Sequence, residues 1–221
     1  KSFAELAEQG YVAPFEIKTI KVKLTNDEKA KYQQLLSRYR ELVGHLDFNE
    51  VLEAAKRGDA KALEAVKLRM EIKKLVQGAS QKYEVVKRIV DEELKNGSKI
   101  IIFTQFVDHA KKLSAILSAP YIIGELDEQE RKKRLEAFKS GEVRTLIFTT
   151  VGDEGIDVPD ADVGIIFSGT SSRRQFIQRL GRILRPKPGK YAKLYEIVVA
   201  NTFEEIEARK RRQAILGILG L

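Results

Sequence analysis

Three short apolar runs set the tightest limit on how this 221-residue chain can fold: Lys99-Ile-Ile-Ile-Phe103, Thr145-Leu-Ile-Phe-Thr149 and Val163-Gly-Ile-Ile-Phe167. None alternates apolar with polar residues, so none can turn one side to water. Each predicts a strand buried on both faces. Helical segments separate them. Gln81 to Lys95 predicts a helix that stops at Asn96-Gly97, a good C-terminal signal. A second helix runs from Val107 to Leu117 and is broken by Pro120, with Tyr121-Ile-Ile123 a short strand beyond it. Asp127 to Ser140 predicts a charged helix that turns Leu135 and Phe138 inward and closes at Gly141. Pro159 lies between the second and third apolar runs. A helix over 172–183, a strand over 193–199 and a capped helix from Thr202 complete the pattern. Alternation of this kind predicts an α/β fold, a parallel sheet flanked by helices.

The first third of the chain differs. Residues 1–24 end in a stretch where Ile20, Val22 and Leu24 alternate with polar residues, as in a half-buried strand. Thr25-Asn-Asp-Glu28 forms a capping box, and Tyr32, Leu35, Leu36, Tyr39, Leu42 and Val43 then recur at helical spacing. Asp47 to Gln77 reads as further helix interrupted at Gly58-Asp59, with Leu63, Val66 and Met70 stacked on one face. Residues 25–77 are therefore expected to be a helical excursion, a hairpin rich in Lys, Arg, Glu and Ala.

Composition narrows the function classes. Hydrophobic residues make up 43% and charged residues 33%, as in a soluble globular protein. No apolar run approaches the roughly 18 residues that cross a bilayer, and no membrane partner is expected. There is no Cys, and the two histidines, His45 and His109, are far apart, so no metal site is expected from protein side chains. A formal charge of +8 favours polyanionic partners, because each neutralised phosphate releases counterions. The chain begins at Lys1 and its single methionine is Met70, so a piece of a longer polypeptide is expected. The absence of a signal peptide suggests an intracellular location, cytoplasmic in a prokaryote or archaeon and nuclear in a eukaryote.

Two strings carry chemistry. Ser172 to Gly189 reads SRRQFIQRLGRILRPKPG. Ser172 and Gln175 form a capping box, which puts Gln178 and Arg182 four residues apart on one helix face, with Arg185 at or past its end. An amide and two guanidiniums suit a terminal phosphate: Arg is always charged, offers a planar fork, and stabilises charge that grows in a transition state. The plainer reading is a basic helix making surface ion pairs. The second string, Thr149 to Asp157, follows a buried strand, and α/β sheets place ligands at the carboxyl ends of their strands. Gly152 and Gly155 permit close approach of a phosphate or sugar, Thr149 can donate to a phosphate, and Asp157 can accept from a ribose hydroxyl. An ordinary βα loop would also use Gly and Asp. Thr104 and Gln105 end the 99–103 strand and suit a phosphate backbone, while Phe106 either stacks on a base or caps the core. Asp91-Glu92-Glu93 and Asp127-Glu128-Gln129-Glu130 look superficially like a DExx metal motif, but both are read as solvated helix positions. No GxxxxGK(S/T) phosphate loop occurs anywhere.

Taken together, Val151-Gly-Asp153, Pro159-Asp-Ala161, the SRRQxxQRLGRxLRxKxG string and an opening LxxxGYxAP (Leu6 to Pro14) resemble the XPB family of superfamily-two helicases. The likeness covers residues 80–221 well and the first 24 moderately. It implies a second RecA-like lobe over 78–221, a helical thumb-like insert over 25–77, and a segment over 1–24 linking from a first helicase lobe. It implies an ATP-dependent 3′→5′ DNA helicase of nucleotide excision repair and transcription. Gln178, Arg182 and Arg185 would contact ATP, the arginines acting as fingers, and Gly155 and Asp157 would complete the nucleotide site. Thr149, Thr104 and Gln105 would grip single-stranded DNA. Implied partners are single-stranded or forked DNA, the first lobe, and a repair nuclease or repair complex. ATP with Mg²⁺ would be held mainly by that other lobe, so this chain alone is expected to be inactive.

Two other readings remain at this point. A Snf2-like duplex translocase has a similar strand end, although QRLGRILRP differs from its usual last motif. A catalytically silent module that binds nucleic acid or a partner protein would need no second lobe.

Overall fold

A computed structural model describes residues 15–149, 159–169 and 191–219. They divide into two compact units, one within residues 15–22 and 82–219 and the other over 23–81.

The larger unit is a six-stranded sheet, every neighbouring pair parallel. Its strands are β1 (Phe15–Val22), β2 (Ile100–Thr104), β3 (Tyr121–Ile122), β4 (Thr145–Thr149), β5 (Val163–Ile166) and β6 (Ala192–Val199), in the order β1-β6-β5-β2-β4-β3. Every residue of β2, β4 and β5 is buried, as their unbroken apolar runs require. Successive side chains point to opposite faces. One face therefore gathers Ile101, Phe103, Leu146, Phe148, Ile166 and Leu194 into a single cluster with Phe138. The sheet is RecA-like, and its helices flank it.

Four of those helices follow from local signals. Before β2 comes a helix over Ser80–Lys95, and Gly97 takes a positive φ of 76° where the chain turns back. Val107–Leu117 follows β2, and Glu128–Ser140 precedes β4. Asp127 caps the last of these by accepting from Glu130 N at 3.1 Å, and Gly141 ends it at a φ of 87°. Only glycine adopts such a φ without steric cost. The C-terminal helix, Phe203–Leu219, begins at Thr202, whose hydroxyl donates to Val199 O at 2.8 Å. No helix among the described residues is long and apolar enough to cross a membrane.

The smaller unit contains three helices, Asn26–Val43, Phe48–Lys56 and Ala60–Gln77. Numbered in chain order, the helices are α1 to α3 for these three and α4 to α7 for those of the sheet unit. The Thr25 capping box forms as the sequence predicts. Glu28 does more than close it. Its second oxygen accepts from Ser80 N and Ser80 Oγ at 2.8 and 2.6 Å, so one carboxylate caps the starts of α1 and α4. The inward face of α3 is built mainly from small residues. Leu63 and Met70 are 43% and 51% exposed, while Ala62, Ala65, Ile72 and Val76 are buried. Small residues let α3 approach Tyr39, Leu42, Val43 and Val51 closely, and this rotates the larger side chains outward.

Candidate nucleotide and nucleic-acid edge

The carboxyl edge of the sheet gathers the polar residues that follow its buried strands. Thr104 and Thr149 end β2 and β4 and are register partners. On the other side of β2, the ladder with β5 closes at Phe103 opposite Ile166. The next two residues of β5's chain, Phe167 and Ser168, donate their amides to Phe103 O at 2.9 and 3.3 Å. The chain runs from β2 toward β3 on one side of the sheet and from β5 toward β6 on the other. The gap between β2 and β5 is thus a topological switch point, where parallel α/β sheets bind ligands.

Ser168 spans that gap. Its hydroxyl lies 3.0 Å from Thr104 Oγ1 and accepts from Gln105 N at 2.8 Å. Thr104 is fully buried and its hydroxyl is satisfied by this contact. Thr149 Oγ1 and Gln105 Oε1 are also buried, but neither has a hydrogen-bond partner among the described residues. Buried polar atoms of this kind are rare in folded proteins and call for an explanation. Phe106, half-buried, sets its ring edge-on against His109 at 5.1 Å. Of the candidate DNA-contact residues, Thr104, Gln105 and Thr149 therefore lie together at one edge.

Behind the edge lies a set of buried charges that sequence reasoning passed over. Lys82 in the first turn of α4 is 0% exposed; its ammonium donates to Phe167 O at 2.7 Å and to Glu204 Oε1 at 2.6 Å. Glu204 accepts from Val199 N at 2.9 Å through its other oxygen. Burial pushes the Lys82 ammonium below its usual range and the Glu204 carboxyl above its own, and the attraction between them only partly offsets this. Arg211, on the same helix as Glu204, donates Nε to Glu196 Oε1 at 2.8 Å. At the other end of α4 Glu93 is buried, which corrects the reading of 91–93 as a solvated run; Asp91 and Glu92 are exposed. Its carboxylate accepts from Lys193 Nζ and Tyr195 OH at 2.8 and 2.7 Å and from Ser98 Oγ at 3.1 Å. Burial pushes it up, but those hydrogen bonds outweigh burial and hold it below the ordinary carboxylate value. The available signal was spacing: Lys82, Val86, Ile89 and Glu93 recur at helical intervals on one stripe.

Gly155 and Asp157, like Gln178, Arg182 and Arg185, lie outside the described residues. Their segments, 150–158 and 170–190, follow directly from Thr149 at the end of β4 and from Gly169 just beyond β5. Among the described residues no three His, Cys, Asp or Glu side chains converge to hold a metal.

A family model described as the ERCC3/RAD25/XPB C-terminal helicase matches residues 62–218. The chain belongs to this family. Among XPB proteins it is similar to the DNA 3′-5′ translocase XPB2 of Sulfurisphaera tokodaii, 37% identical over 96% of this chain and 49% of the relative. It is also similar to the general transcription and DNA repair factor IIH helicase/translocase subunit XPB of Encephalitozoon cuniculi, 36% identical over 61% of this chain and 21% of that protein. The chain thus spans about half the length of the first relative and about a fifth of the second. Among solved structures, the Sulfolobus solfataricus SWI2/SNF2 ATPase core in complex with dsDNA shares the fold. The TM-score is 0.64 at 22% identity, over 86% of this chain and 42% of that one. That likeness concerns the fold alone; it is the sequence that separates the XPB family from the Snf2-like reading.

Proposed function

We propose that this chain is the second RecA-like lobe of an ATP-dependent 3′→5′ DNA helicase or translocase acting in DNA repair and transcription. The observation that carries the reading is topological. The two strings that resemble nucleotide motifs follow the carboxyl ends of β4 and β5, the strands on either side of β2. The names borne by the relatives support the same activity and a place in a repair or transcription complex.

The donor set suits a phosphate and not a metal. Gln178, Arg182 and Arg185 supply an amide and two permanent cations, with no cluster of carboxylates among the described residues. Bound ATP would supply the phosphoryl group, and a first lobe would hold the Mg²⁺ and most of the triphosphate. From this lobe Arg182 and Arg185 stabilise the negative charge that spreads over the transferred phosphoryl oxygens. Gly155 lets the backbone approach the nucleotide, and Asp157 accepts from a ribose hydroxyl. On the DNA side, the unpartnered Thr149 hydroxyl donates to a phosphate oxygen, and the Gln105 amide presents a second polar group. Thr104 acts through Ser168, which shares its hydroxyl contact with the Gln105 backbone. The helical unit of residues 23–81 would serve as a thumb-like insert.

Arg182→Ala in the full-length protein tests the reading. DNA-stimulated ATP turnover should fall by about 10³–10⁵, the usual contribution of an arginine finger, while ATP binding weakens much less. Turnover close to wild type in a folded variant would remove Arg182 from the site.

A further inference from the structure

Three consecutive residues at the end of β5 each meet a different group. The Phe167 carbonyl lies beyond the ladder with β6, whose last pair is Ile166 with Glu196, and takes Lys82 Nζ as its partner. Ser168 is fixed by Phe103 O, Thr104 and the Gln105 amide. Gly169 lies against the Arg211 guanidinium so closely that a Cβ there would sit 2.7 Å from Nη1. Both cations are themselves held from behind, Lys82 by Glu204 and Arg211 by Glu196, and Glu204 also receives the Val199 amide at the end of β6. The next residue begins the segment that contains Gln178, Arg182 and Arg185.

Stability alone does not account for this arrangement. Removing two charges from water costs several kcal/mol per ion, and well-packed apolar residues of similar volume often serve as well or better. What an ammonium and a guanidinium offer, and an apolar pair does not, is direction: the Lys82 ammonium holds a backbone carbonyl by a hydrogen bond, and the Arg211 guanidinium, itself held by Glu196, stands where the backbone passes at Gly169. We propose that Lys82 and Arg211 are positioning residues, anchored by Glu204 and Glu196, that set where the arginine-bearing segment leaves the sheet. They touch no nucleotide themselves. This inference rests on the reading of Arg182 and Arg185 given above. A misplacement of about 1 Å at a reacting group costs on the order of 10²-fold in rate, so a loosened anchor acts on turnover rather than on ATP affinity.

The test uses the full-length protein with two variants. Lys82→Met combined with Glu204→Gln removes both buried charges together, so neither is left unpaired. Gly169→Ala keeps every charge and pushes on Arg211 alone. For each, kcat and KM for ATP are measured beside the melting temperature and amide hydrogen exchange over residues 167–190. Both variants are expected to fold, to lose about 10²-fold in kcat with little change in KM, and to exchange faster across 167–190. A folded variant with wild-type kcat, or one with unaltered exchange in that stretch, overturns the proposal. If the paired variant fails to fold, Gly169→Ala decides it on the same two measurements. Arg182→Ala, assayed in parallel, separates the two ideas. Full activity there defeats the arginine-finger reading, while the exchange data still decide whether Lys82 and Arg211 anchor the segment.

Discussion

At the scale of single residues, Glu93 couples the fold to pH. It is buried, and three donors hold its carboxyl below the ordinary value of 4.5 despite the desolvation that pushes it up. A carboxylate with a lowered folded-state pKa contributes stability above its unfolded pKa. That contribution fades as pH falls through the folded-state value. Glu93→Gln should therefore destabilise the protein by about 1.5–3 kcal/mol at pH 7, the range for hydrogen bonds to a charged group. The gap between variant and parent should shrink as pH falls through the lowered folded-state value, where the parent carboxyl is protonated too. Urea unfolding of both proteins across pH 3–8 measures it, and a gap that stays constant over that range would exclude the ionised carboxylate as its source. The same residue marks a limit of sequence reading. Three acids in a row look solvated, and only the partners at Ser98, Lys193 and Tyr195 distinguish the third. Two of those lie about a hundred positions away, so no local signal identifies them.

At the scale of elements, capping chemistry was legible because it is local. Thr25 with Glu28, Asp127 ahead of its helix, and Gly97 and Gly141 at helix ends all act within a few residues of chain. The second task of Glu28, accepting from Ser80, spans 52 residues and was not. Ser80 and Thr25 hold the Glu28 carboxyl below its usual value against the opposing effect of burial. Glu28→Ala should remove one capping acceptor from each of two helices and cost about 1–2 kcal/mol, in the range of a lost N-cap. Hydrogen exchange at the Thr25 and Ser80 amides should quicken together. Acceleration at Thr25 alone would mean that Ser80 finds another acceptor, and the double cap would be wrong. The inward face of α3 was not legible for a related reason. Leu63, Val66 and Met70 are the conspicuous apolar residues, but close helix contact is made by alanines, whose small size the pattern undervalues.

At the scale of the whole molecule, the buried strands and their parallel pairing follow from apolar runs that cannot face water, and β2, β4 and β5 are such runs. The place of β1 does not follow. It pairs with β6, register partners standing 177 positions apart in sequence, from Phe15 opposite Ala192 to Val22 opposite Val199. Alternation at Ile20, Val22 and Leu24 announces a half-buried strand without saying which sheet it joins. The sheet unit is consequently built from two separate stretches of sequence, and the helical unit lies between them in the chain. The candidate site is legible in a similar, partial way: the motif strings and the strand ends are visible in sequence, whereas Ser168, Lys82 and Arg211 gain meaning only from their neighbours. One consequence concerns the chain in isolation. Its sequence has cations suited to a terminal phosphate but no GxxxxGK(S/T) loop to cradle that phosphate. An arginine finger acts on a nucleotide held elsewhere, since its contribution is to the transition state and not to capture of the ground state. The isolated 221-residue chain should therefore release phosphate from ATP no faster than buffer, with or without DNA. Its charge of +8 should still give DNA binding that weakens steeply with salt. Steady turnover that persists in the purified chain and vanishes in Arg182→Ala would place a complete nucleotide site within these residues, and the two-lobe reading would have to be abandoned.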